Sequence, residues 1–592
     1  MKKVELNILF SKENLAFESL TPLVDFVFQN NINLIEEYYE FARYLNPEFE
    51  KLVKNPKLSI TSATSYKDRI RFTHYTKIYY VFNFLIDSII NKTKNDSELL
   101  EINFFNCHEM LESDVMFVDH FIERIKNKEI SISLKFQDIH PNLQNVSFIE
   151  ENLTSKIIKF TYKSFWDKEN KEKMFERAMN LFLFEDGIRL GKELFDSSED
   201  TNQKCFIADK LGIAHVLYDQ QTEGEKYYNF VMEHPCDPEI KVSVLYKLSM
   251  LYLRHHPIDK RDEVKAEEYL LTAKNVIENE KDQLGESYIF HKVFNRNGYS
   301  LVLFKKGDLE TAHHYCVEGN ELILSEYGPT KHILHRSVLI YNSTLTSSKM
   351  NKIEQAQKQF DYLLEMDPYY SNYWLARAEF YKRLGEFDKS IEDYSQAIKL
   401  NPYSEGLYCA RGIVYETIGD LKKAEEDYLR ALDLNPNHAD SLMNYGVRML
   451  EENNLEQSQH TFKKLSLLEV DNKHNVYNNI GLVYLEQDKL DQAIESFVES
   501  IKYKADFATA YANKAIAHFN KNENTDALQS IEAAIRLEDN LDYVFNRAYL
   551  FNAIGEFDKS LSDIEMILKQ NPNNTDALEL KMEIESRLEK IY

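Results

Sequence analysis

The sequence predicts a mainly α-helical protein, an α-solenoid of stacked helical hairpins with a smaller α/β domain at the N-terminus. Pro368, Pro402 and Pro436 are each 34 residues apart, and Pro572 falls in the same phase. Gly (16) and Pro (12) are scarce for a chain of 592 residues, and this composition favours helix throughout. A fixed period of this length is typical of stacked supersecondary units, each of which buries its apolar face against its neighbours.

The residues within one period explain why it is expected to fold as a hairpin of two helices. In residues 371–404, the side chains of Trp374, Ala378 and Tyr381 lie at helical spacing and form one apolar stripe. Gly385 follows at the point where the first helix must end and the chain must turn. A second stripe then runs to a proline, which cannot continue a helix and therefore separates this unit from the next.

Small residues recur at one position of each first helix and at one position of each second helix, where they let neighbouring helices approach. In the first helices they are Ala378, Gly412, Gly446, Gly481, Ala515 and Ala548. In the second helices they are Ala356, Ser390, Ala424, Ser458, Ala493, Ala527 and Ser560. The pattern closely resembles the tetratricopeptide repeat (TPR) family. Seven units can be phased, at about 337–370, 371–404, 405–438, 439–473, 474–507, 508–540 and 541–574.

The resemblance divides the chain into four parts. Residues 337–574 are expected to be seven TPR units, and residues 575–592 a polar helix that caps the open end. Residues 166–336 are expected to continue the solenoid as irregular TPR-like repeats, whereas residues 1–165 do not follow the period. Because each unit contacts mainly its neighbours, residues 337–592 are expected to fold without the rest of the chain.

The N-terminal part, residues 1–165, is expected to form an α/β domain. Within it, residues 99–136 have a strand–loop–helix–strand pattern, which implies two adjacent parallel strands joined by a crossover helix. The expected strands are Lys3–Phe10, Leu58–Thr64, Leu99–Asn106 and Ile130–Phe136, and the expected crossover helix is Asp114–Lys126.

The same segment is similar to the part of AAA-like signal-transduction ATPases, the STAND type, that runs from the Walker B strand to the next strand. The resemblance places Asn106 where a metal-supporting acid is expected, with Glu109 near it. The chain has no GxxxxGK[ST] sequence, and the candidate loop 62–65 lacks the glycines and the lysine of a phosphate cradle. The domain is therefore expected to be a degenerate ATPase domain that uses no cofactor and does not hydrolyse nucleotide.

Composition argues against several classes of function. The formal net charge of −26 argues against nucleic acid as the main partner, because phosphate binding needs clustered Lys and Arg. There is no run of about 18 apolar residues, so a membrane partner is not expected. The five cysteines are scattered and form no CxxC pair, which argues against a zinc site and against a disulfide framework. A reducing cytoplasm is the expected compartment.

No set of residues has the spacing of a catalytic or metal site, so the protein is expected not to be an enzyme. His108 and His120 flank Cys107, but their spacing matches no ligand pattern, and polar surface residues are the favoured interpretation. The adjacent histidines at 255–256 and at 313–314 would point to different sides of a helix, or lie in a loop, so metal ligation is not expected there.

The predicted binding surface is the concave groove lined by the first helices of the repeats. Asparagine recurs at one position of these helices, and its amide can bond a peptide backbone without reading the peptide's sequence. The ladder, Asn342, Asn444, Asn479, Asn513 and Asn546, resembles that in the repeat domain of O-linked N-acetylglucosamine transferase. The alternative is that these asparagines stabilise neighbouring helices. The residues expected to bind a peptide are Asn444, Asn479, Leu482, Asn513, Ile516, Phe519, Asn546 and Tyr549.

The expected function is that of a cytoplasmic, non-catalytic scaffold that binds a protein or peptide in this groove. One alternative is a nucleotide-responsive signalling or regulatory switch, which nucleotide binding in equilibrium dialysis would reveal. Another is an accessory protein that presents a peptide to a modifying enzyme. The Lys and Arg set that clamps acidic chaperone tails is absent, so such a tail is not the expected partner. The sequence leaves the oligomeric state open.

Overall fold

The chain divides into two compact units, Met1–Leu407 and Tyr408–Tyr592, called the first and second unit below. Helices dominate both units, and the described residues contain one small sheet. The predicted fold class, a mainly α-helical solenoid, is therefore confirmed. The computed structural model describes residues 3–9, 19–28, 32–46, 49, 52–53, 56–63, 78–96, 99–105, 107, 110, 112–125, 132–136, 171–181 and 183–591.

The sheet lies in the first unit and consists of three parallel strands. The strands are β1 (Lys3–Leu9), β2 (Leu99–Phe105) and β3 (Ile132–Phe136), in the spatial order β1–β2–β3. Leu6 of β1 pairs with Ile102 of β2, which in turn pairs with Leu134 of β3. Helix Glu112–Ile125 lies between β2 and β3 in the chain, so the predicted parallel pair with a crossover helix is confirmed.

One of the predicted strands is wrong. Within Leu58–Thr64, residues Ile60–Ala63 form a short helix, and Thr64 lies outside the described residues. The Ser59 hydroxyl accepts a hydrogen bond from the Ser62 N–H at 3.1 Å, which is the N-cap interaction that starts a helix. The other helices of this region are Thr21–Phe28, Ile32–Glu37, Tyr39–Leu45 and Ile78–Asp96.

The rest of the first unit is built of helical hairpins, which are named below by their first and last residues. Hairpin 238–279 contains a π-helical turn, Leu251–His255, and a 3-10 turn, Ile258–Lys260, between its two helices. A short helix, Lys281–Leu284, and a 3-10 turn, Gly285–Ser287, precede the next hairpin. The hairpin helices are Lys171–Asn180, Phe184–Ser197, Thr201–Leu217, Gln221–Glu233, Pro238–Met250, Glu263–Asn279, Tyr288–Lys306, Leu309–Tyr327, Ile333–Lys349, Ile353–Met366, Ser371–Arg383 and Phe387–Leu400.

The second unit has the same construction with a more regular period. Helix Glu405–Thr417 contains the boundary between the units, and helix Thr575–Ile591 follows the last hairpin. The helices between them are Leu421–Leu434, Ala439–Glu451, Leu455–Ser466, Lys473–Glu486, Leu490–Tyr503, Ala508–Asn520, Asn524–Leu537, Leu541–Ala553 and Phe557–Gln570.

The turn inside each regular hairpin needs one residue in the left-handed region, because this conformation ends the first helix within a few residues. Glycine adopts it at no steric cost, and asparagine or aspartate tolerates it. The glycines are Gly385, Gly419 and Gly555, with φ of 75°, 80° and 83°. In the other regular hairpins Asn351, Asn453, Asp488 and Asn522 take φ of 60°, 60°, 57° and 65°.

A small residue of the first helix packs against a large residue sixteen positions later in the second helix. A Cβ on Gly412 would lie 2.7 Å from Cε1 of Tyr428, which is closer than real side chains approach, so glycine fits and larger residues do not. Gly212 meets Tyr228 in the same manner, so the irregular hairpin 201–233 uses the packing of the regular repeats. Gly446 and Gly481 likewise face Phe462 and Phe497.

A serine at the small position of the second helix adds a hydrogen bond across the hairpin. Its Oγ donates to the carbonyl of the small residue of the first helix, at 2.8 Å for Ser390 and Ala378, 2.8 Å for Ser458 and Gly446, and 2.7 Å for Ser560 and Ala548. Alanine occupies this position in the other regular hairpins, so the shared requirement is small size.

Candidate functional site

The predicted asparagine ladder of the second unit lies on consecutive first helices, and each of its side chains is half-buried. Three of the four amides donate a hydrogen bond from Nδ2 to the first helix of the preceding hairpin. The acceptors are Cys409 Sγ at 3.7 Å for Asn444, Met443 Sδ at 3.3 Å for Asn479, and Asn478 Oδ1 at 2.9 Å for Asn513. The ladder therefore joins neighbouring hairpins.

These bonds leave part of each amide available. An asparagine side chain offers two donor hydrogens and one acceptor oxygen, and each of the three bonds uses one hydrogen. Two of the acceptors are sulfur atoms, which accept weakly. Among the described residues, nothing donates to the Oδ1 atoms of Asn444, Asn479 or Asn513, and Asn546 makes no side-chain hydrogen bond. Four acceptor oxygens therefore remain along consecutive first helices.

The predicted apolar residues separate into an exposed group and a packed one. Ile516 is 37% exposed and Tyr549 is 50% exposed, which is unusual for large apolar side chains and marks a surface able to bury area on association. The Phe519 ring meets the Tyr549 ring edge-on, with centroids 6.0 Å apart. Leu482 instead packs beside the buried pair Phe497 and Ala517, so its main contacts are within the core.

The second unit also contains two ion pairs of the same kind that the sequence analysis did not predict. Arg411 donates from Nε and Nη2 to the two carboxylate oxygens of Asp427 at 2.8 and 2.7 Å, and Arg547 makes the same bidentate pair with Asp563. Burial raises the pKa of the Asp427 carboxyl, although the hydrogen bonds and charge of Arg411 oppose that rise. An Arg followed sixteen residues later by an Asp is the sequence signal that could have revealed these pairs.

The hairpins between these two pairs have uncharged or mismatched residues at the same positions. The corresponding residues are Tyr445 and Thr461, Ile480 and Ser496, and Lys514 and Ser530. The hairpins 439–466, 473–503 and 508–537, which carry three of the four ladder asparagines, therefore lack the ion pair of their neighbours.

The histidines singled out from the sequence have packing partners where they are described. His120 Nε2 lies 2.8 Å from Asn83 Oδ1, and burial together with the charge of Arg124 lowers its pKa to about 3. His256 lies beside Glu225, and His313 Nδ1 lies 3.2 Å from the carbonyl of Ser343. His108, Asn106 and Glu109 lie outside the described residues, so the expectations attached to them stay untested.

One cluster in the second unit has the composition of a cation site. Ligand atoms of His518, Glu523 and Asp526 lie within 4.8 Å of one another at the turn of hairpin 508–537. His518 Nδ1 is 2.7 Å from Glu523, and Lys521 Nζ is 2.6 Å from the same carboxylate. An ammonium group thus already balances this carboxylate, and the cluster is an ion-pair network at the protein surface.

Over the described parts of the chain, the structure contains no helix whose length and apolar character would let it cross a membrane.

Comparison with protein families identifies the repeats of the chain. Models of the tetratricopeptide repeat match residues 407–438 and 478–541, and a TPR repeat model matches residues 378–419. No curated protein sequence matches the chain. The resemblance of residues 1–165 to an ATPase domain receives no support from these comparisons.

Several solved TPR structures align with part of the chain. PilF of Pseudomonas aeruginosa is 21% identical, with 36% of this chain and 97% of that chain covered and a TM-score of 0.32. A tetratricopeptide repeat protein from Parabacteroides merdae is 17% identical, with 45% and 98% covered and a TM-score of 0.33. YrrB, described as a TPR protein with an unusual peptide-binding site, is 16% identical, with 32% and 97% covered and a TM-score of 0.27.

These structural similarities are too weak to carry an argument about function. The family models and the hairpin geometry agree with each other, since the matched residues are the regular hairpins with glycine or asparagine turns and small-to-large packing. The chain therefore contains tetratricopeptide repeats, a class of repeat that generally serves as a scaffold for protein interactions.

Proposed function

We propose that the protein is a non-catalytic scaffold that binds an extended segment of a partner protein in the TPR groove of the second unit. The segment lies across the first helices of hairpins 439–466 to 541–570. Its backbone N–H groups donate to the ladder asparagines, and its apolar side chains cover Ile516, Phe519 and Tyr549.

One observation carries this proposal. Four amide oxygens recur at one helical position, each on a half-buried side chain, and no described residue donates to them. A ladder with a purely structural role would need only the Nδ2 bonds to the preceding helix. The exposed residues Ile516 and Tyr549 each follow a ladder asparagine by three positions in the same helix, which supports a binding surface with adjacent polar and apolar parts.

The proposed contact has a specific chemistry. Amide oxygens accept backbone hydrogen bonds from any residue except proline, so the ladder fixes an extended backbone without selecting its sequence. The aromatic and aliphatic group selects for apolar side chains at one end of the segment. The removal of water from Tyr549 and Ile516 drives association, and each asparagine contributes roughly 0.5–1.5 kcal/mol net.

The test replaces Asn479, Asn513 and Asn546 together by Ala in the full chain. Peptides selected from a random-sequence library on the wild-type protein serve as probes, and fluorescence anisotropy gives their Kd. We expect the triple variant to bind about ten to a thousand times more weakly, because three backbone bonds are lost. Helix content should be unchanged, since Ala favours helix.

A matched control replaces Asn475 and Asn520 by Ala. Both residues lie on helices that carry a ladder asparagine, but at other positions of those helices. This variant should bind the selected peptides with wild-type affinity. If the folded triple variant also binds with wild-type affinity, the asparagines serve only to join neighbouring hairpins, and the proposal is wrong.

A further inference from the structure

A cavity of about 410 Å³ lies among the irregular hairpins of the first unit. It is bounded by the first helices of the hairpins 201–233, 238–279 and 288–327 and by the start of helix Ile333–Lys349. Its size is within the range of cavities that bind small molecules. Apolar and aromatic side chains make up much of its wall, among them Phe206, Ile240, Tyr246, Phe290 and Phe294.

One group of lining residues, Asp209 with Lys210 and Lys247, carries an excess of positive charge. The Asp209 carboxylate, only 2% exposed, is 2.5 Å from Lys247 Nζ and 3.0 Å from Lys210 Nζ. Burial alone would raise the pKa of Asp209, but the charges of the two lysines outweigh burial and lower it. Two ammonium groups thus share one carboxylate, and a buried net charge of this kind is costly unless an anion accompanies it.

Lys247 has hydrogen-bonding capacity beyond this pair. Its ammonium group carries three hydrogens, and two of them are directed to Asp209 and, at 3.0 Å, to Ser243 Oγ. Burial lowers its pKa to about 8, so at neutral pH it remains mainly charged although it is enclosed. The third hydrogen can donate to an anion in the cavity.

A second cation lines the cavity from an irregular turn. Arg254 lies in the π-helical turn Leu251–His255, a distortion that is frequent at functional sites. Its side chain is exposed, and it forms no hydrogen bond or ion pair within the described part of the chain. The lining therefore carries Lys210, Lys247 and Arg254 against Asp209 and Glu239.

Three buried polar atoms of the wall have no hydrogen-bond partner among the described residues. They are Tyr228 Oη, Asn295 Oδ1 and His335 Nδ1, on residues that are 1%, 5% and 4% exposed. Buried polar atoms of this kind are rare in folded proteins, and each one calls for a partner. All three residues line the same cavity as the lysine pair, and this supports a cavity that receives a polar ligand.

We propose that this cavity binds a small organic carboxylate with an apolar or aromatic body. The single negative charge matches the single excess positive charge of the Asp209, Lys210 and Lys247 group and lies within reach of the free hydrogen of Lys247. Arg254 guides the anion at the mouth, and the body of the ligand packs against the phenylalanine rings of helix Tyr288–Lys306. The carboxylate belongs either to a free organic acid or to the C-terminus of a short peptide, and both present the same group.

The test is calorimetric titration of the full chain with defined probes at pH 7. The free acids are 3-phenylpropionate and indole-3-acetate, and the peptide is Gly-Phe; each is paired with its primary amide, and inorganic phosphate is a further probe. We expect at least one carboxylate to bind about ten times more tightly than its amide, because only the carboxylate pairs with the cations. Binding of the free acids alone identifies a small-molecule site, and binding of the dipeptide alone identifies a peptide C-terminus.

Variants connect the binding to the cavity. Arg254→Gln should weaken the tightest carboxylate by about tenfold or more, and its exposed position leaves the fold intact. Lys247→Met should weaken it further. Lys260→Gln removes an exposed charge a few residues away outside the cavity, and it should bind as wild type does. Equal affinity for acid and amide, binding of phosphate alone, no binding of any probe, or wild-type affinity in Arg254→Gln would each overturn the proposal.

Discussion

The irregular hairpins 201–327 and the regular hairpins 405–570 use the same packing but differ in what they bury. Gly212 meets Tyr228 as Gly412 meets Tyr428, at the same spacing of sixteen residues. The irregular hairpins also bury Asp209 and Asn295 at the wall of a cavity, whereas the regular hairpins bury serine, alanine and Asp427, which is paired with Arg411. The packing between the two helices of a hairpin is therefore the same in both regions, whereas the polar residues that the hairpins bury are different.

The difference has an identifiable origin in the chain. In hairpin 238–279, the π-helical turn and the 3-10 turn Ile258–Lys260 separate the two helices, where the regular hairpins use a single left-handed residue. This longer connection places Arg254 and His255 at the cavity wall. The irregular turn thus coincides with the cavity, whereas the regular hairpins of the second unit carry the asparagine ladder.

The largest effect is expected from breaking one ion pair of the regular repeats. Arg411→Met leaves the buried Asp427 carboxylate without its partner, and this should lower the local unfolding free energy by about 3 kcal/mol. Hydrogen exchange of the 405–434 hairpin measures the loss. The control is the double variant Arg411→Ile, Asp427→Ser, which copies the residues Ile480 and Ser496 of a neighbouring hairpin and should cost less than about 1 kcal/mol. Equal losses in both variants would show that the unpaired Asp427 carboxylate is not the cause of the loss.

A smaller loss is expected from filling the close approach between helices in either region. Gly212→Leu and Gly412→Leu should each lower the unfolding free energy by about 1–3 kcal/mol, because the new side chain displaces a buried tyrosine ring. Urea unfolding followed by circular dichroism measures both. Gly406→Leu is the matched control, since a Cβ at Gly406 has no neighbour within 4 Å. A loss at Gly412 without a loss at Gly212 would contradict the shared packing.

A fall in pH should lower the stability of the first unit through His335, which lines the cavity. Burial, with the charges of His332 and His291, lowers the pKa of His335 to about 3, so the folded state keeps this ring neutral while the unfolded chain protonates it below pH 6.5. Stability is therefore present above pH 6.5 and falls as the pH falls towards 3, by about 1 kcal/mol between pH 6.5 and 5.5. His335→Gln should remove that part of the loss in urea unfolding at pH 6.5 and 5.5. An unchanged pH dependence would assign the sensitivity to other histidines.

The smallest effect is expected at the serine of a second helix. Ser458→Ala removes the bond to the Gly446 carbonyl and should cost about 0.5–1 kcal/mol, because alanine already fills this position in other hairpins. Thermal unfolding of the variant gives the difference, with Ser466→Ala as a control in the same helix whose hydroxyl bonds only within that helix, to the Lys463 carbonyl. A loss above about 2 kcal/mol would mean that the hydrogen bond, rather than size, determines this position.

The fold could be predicted where the spacing of residues within one hairpin also determines how its two helices pack. The small positions Gly412, Gly446 and Gly481 could be identified from the sequence because each one recurs in phase, and the structure shows an aromatic ring against each. The prediction of a strand at 58–64 is wrong because β-branched residues there favour a strand, whereas the Ser59 cap makes Ile60–Ala63 helical.

The candidate sites were predictable to different degrees. The asparagine ladder is visible in the sequence, but its Nδ2 bonds to the preceding helix are not, because they join residues about 35 positions apart. No pattern in the sequence predicts the cavity of the first unit. Asp209, Arg254 and His335 come from three hairpins that share no phase, and each alone reads as an ordinary charged or polar residue.

The sequence by itself determined the helical class, the period and the residues that fit between two helices of one hairpin, because those requirements repeat every 34 residues. The tertiary structure alone decided which large apolar side chains stay exposed, which amide hydrogens are already used, and that two lysines share one buried aspartate. The physical reason is distance along the chain: contacts within a hairpin follow from local spacing, whereas a binding site collects side chains from several hairpins that only folding brings together.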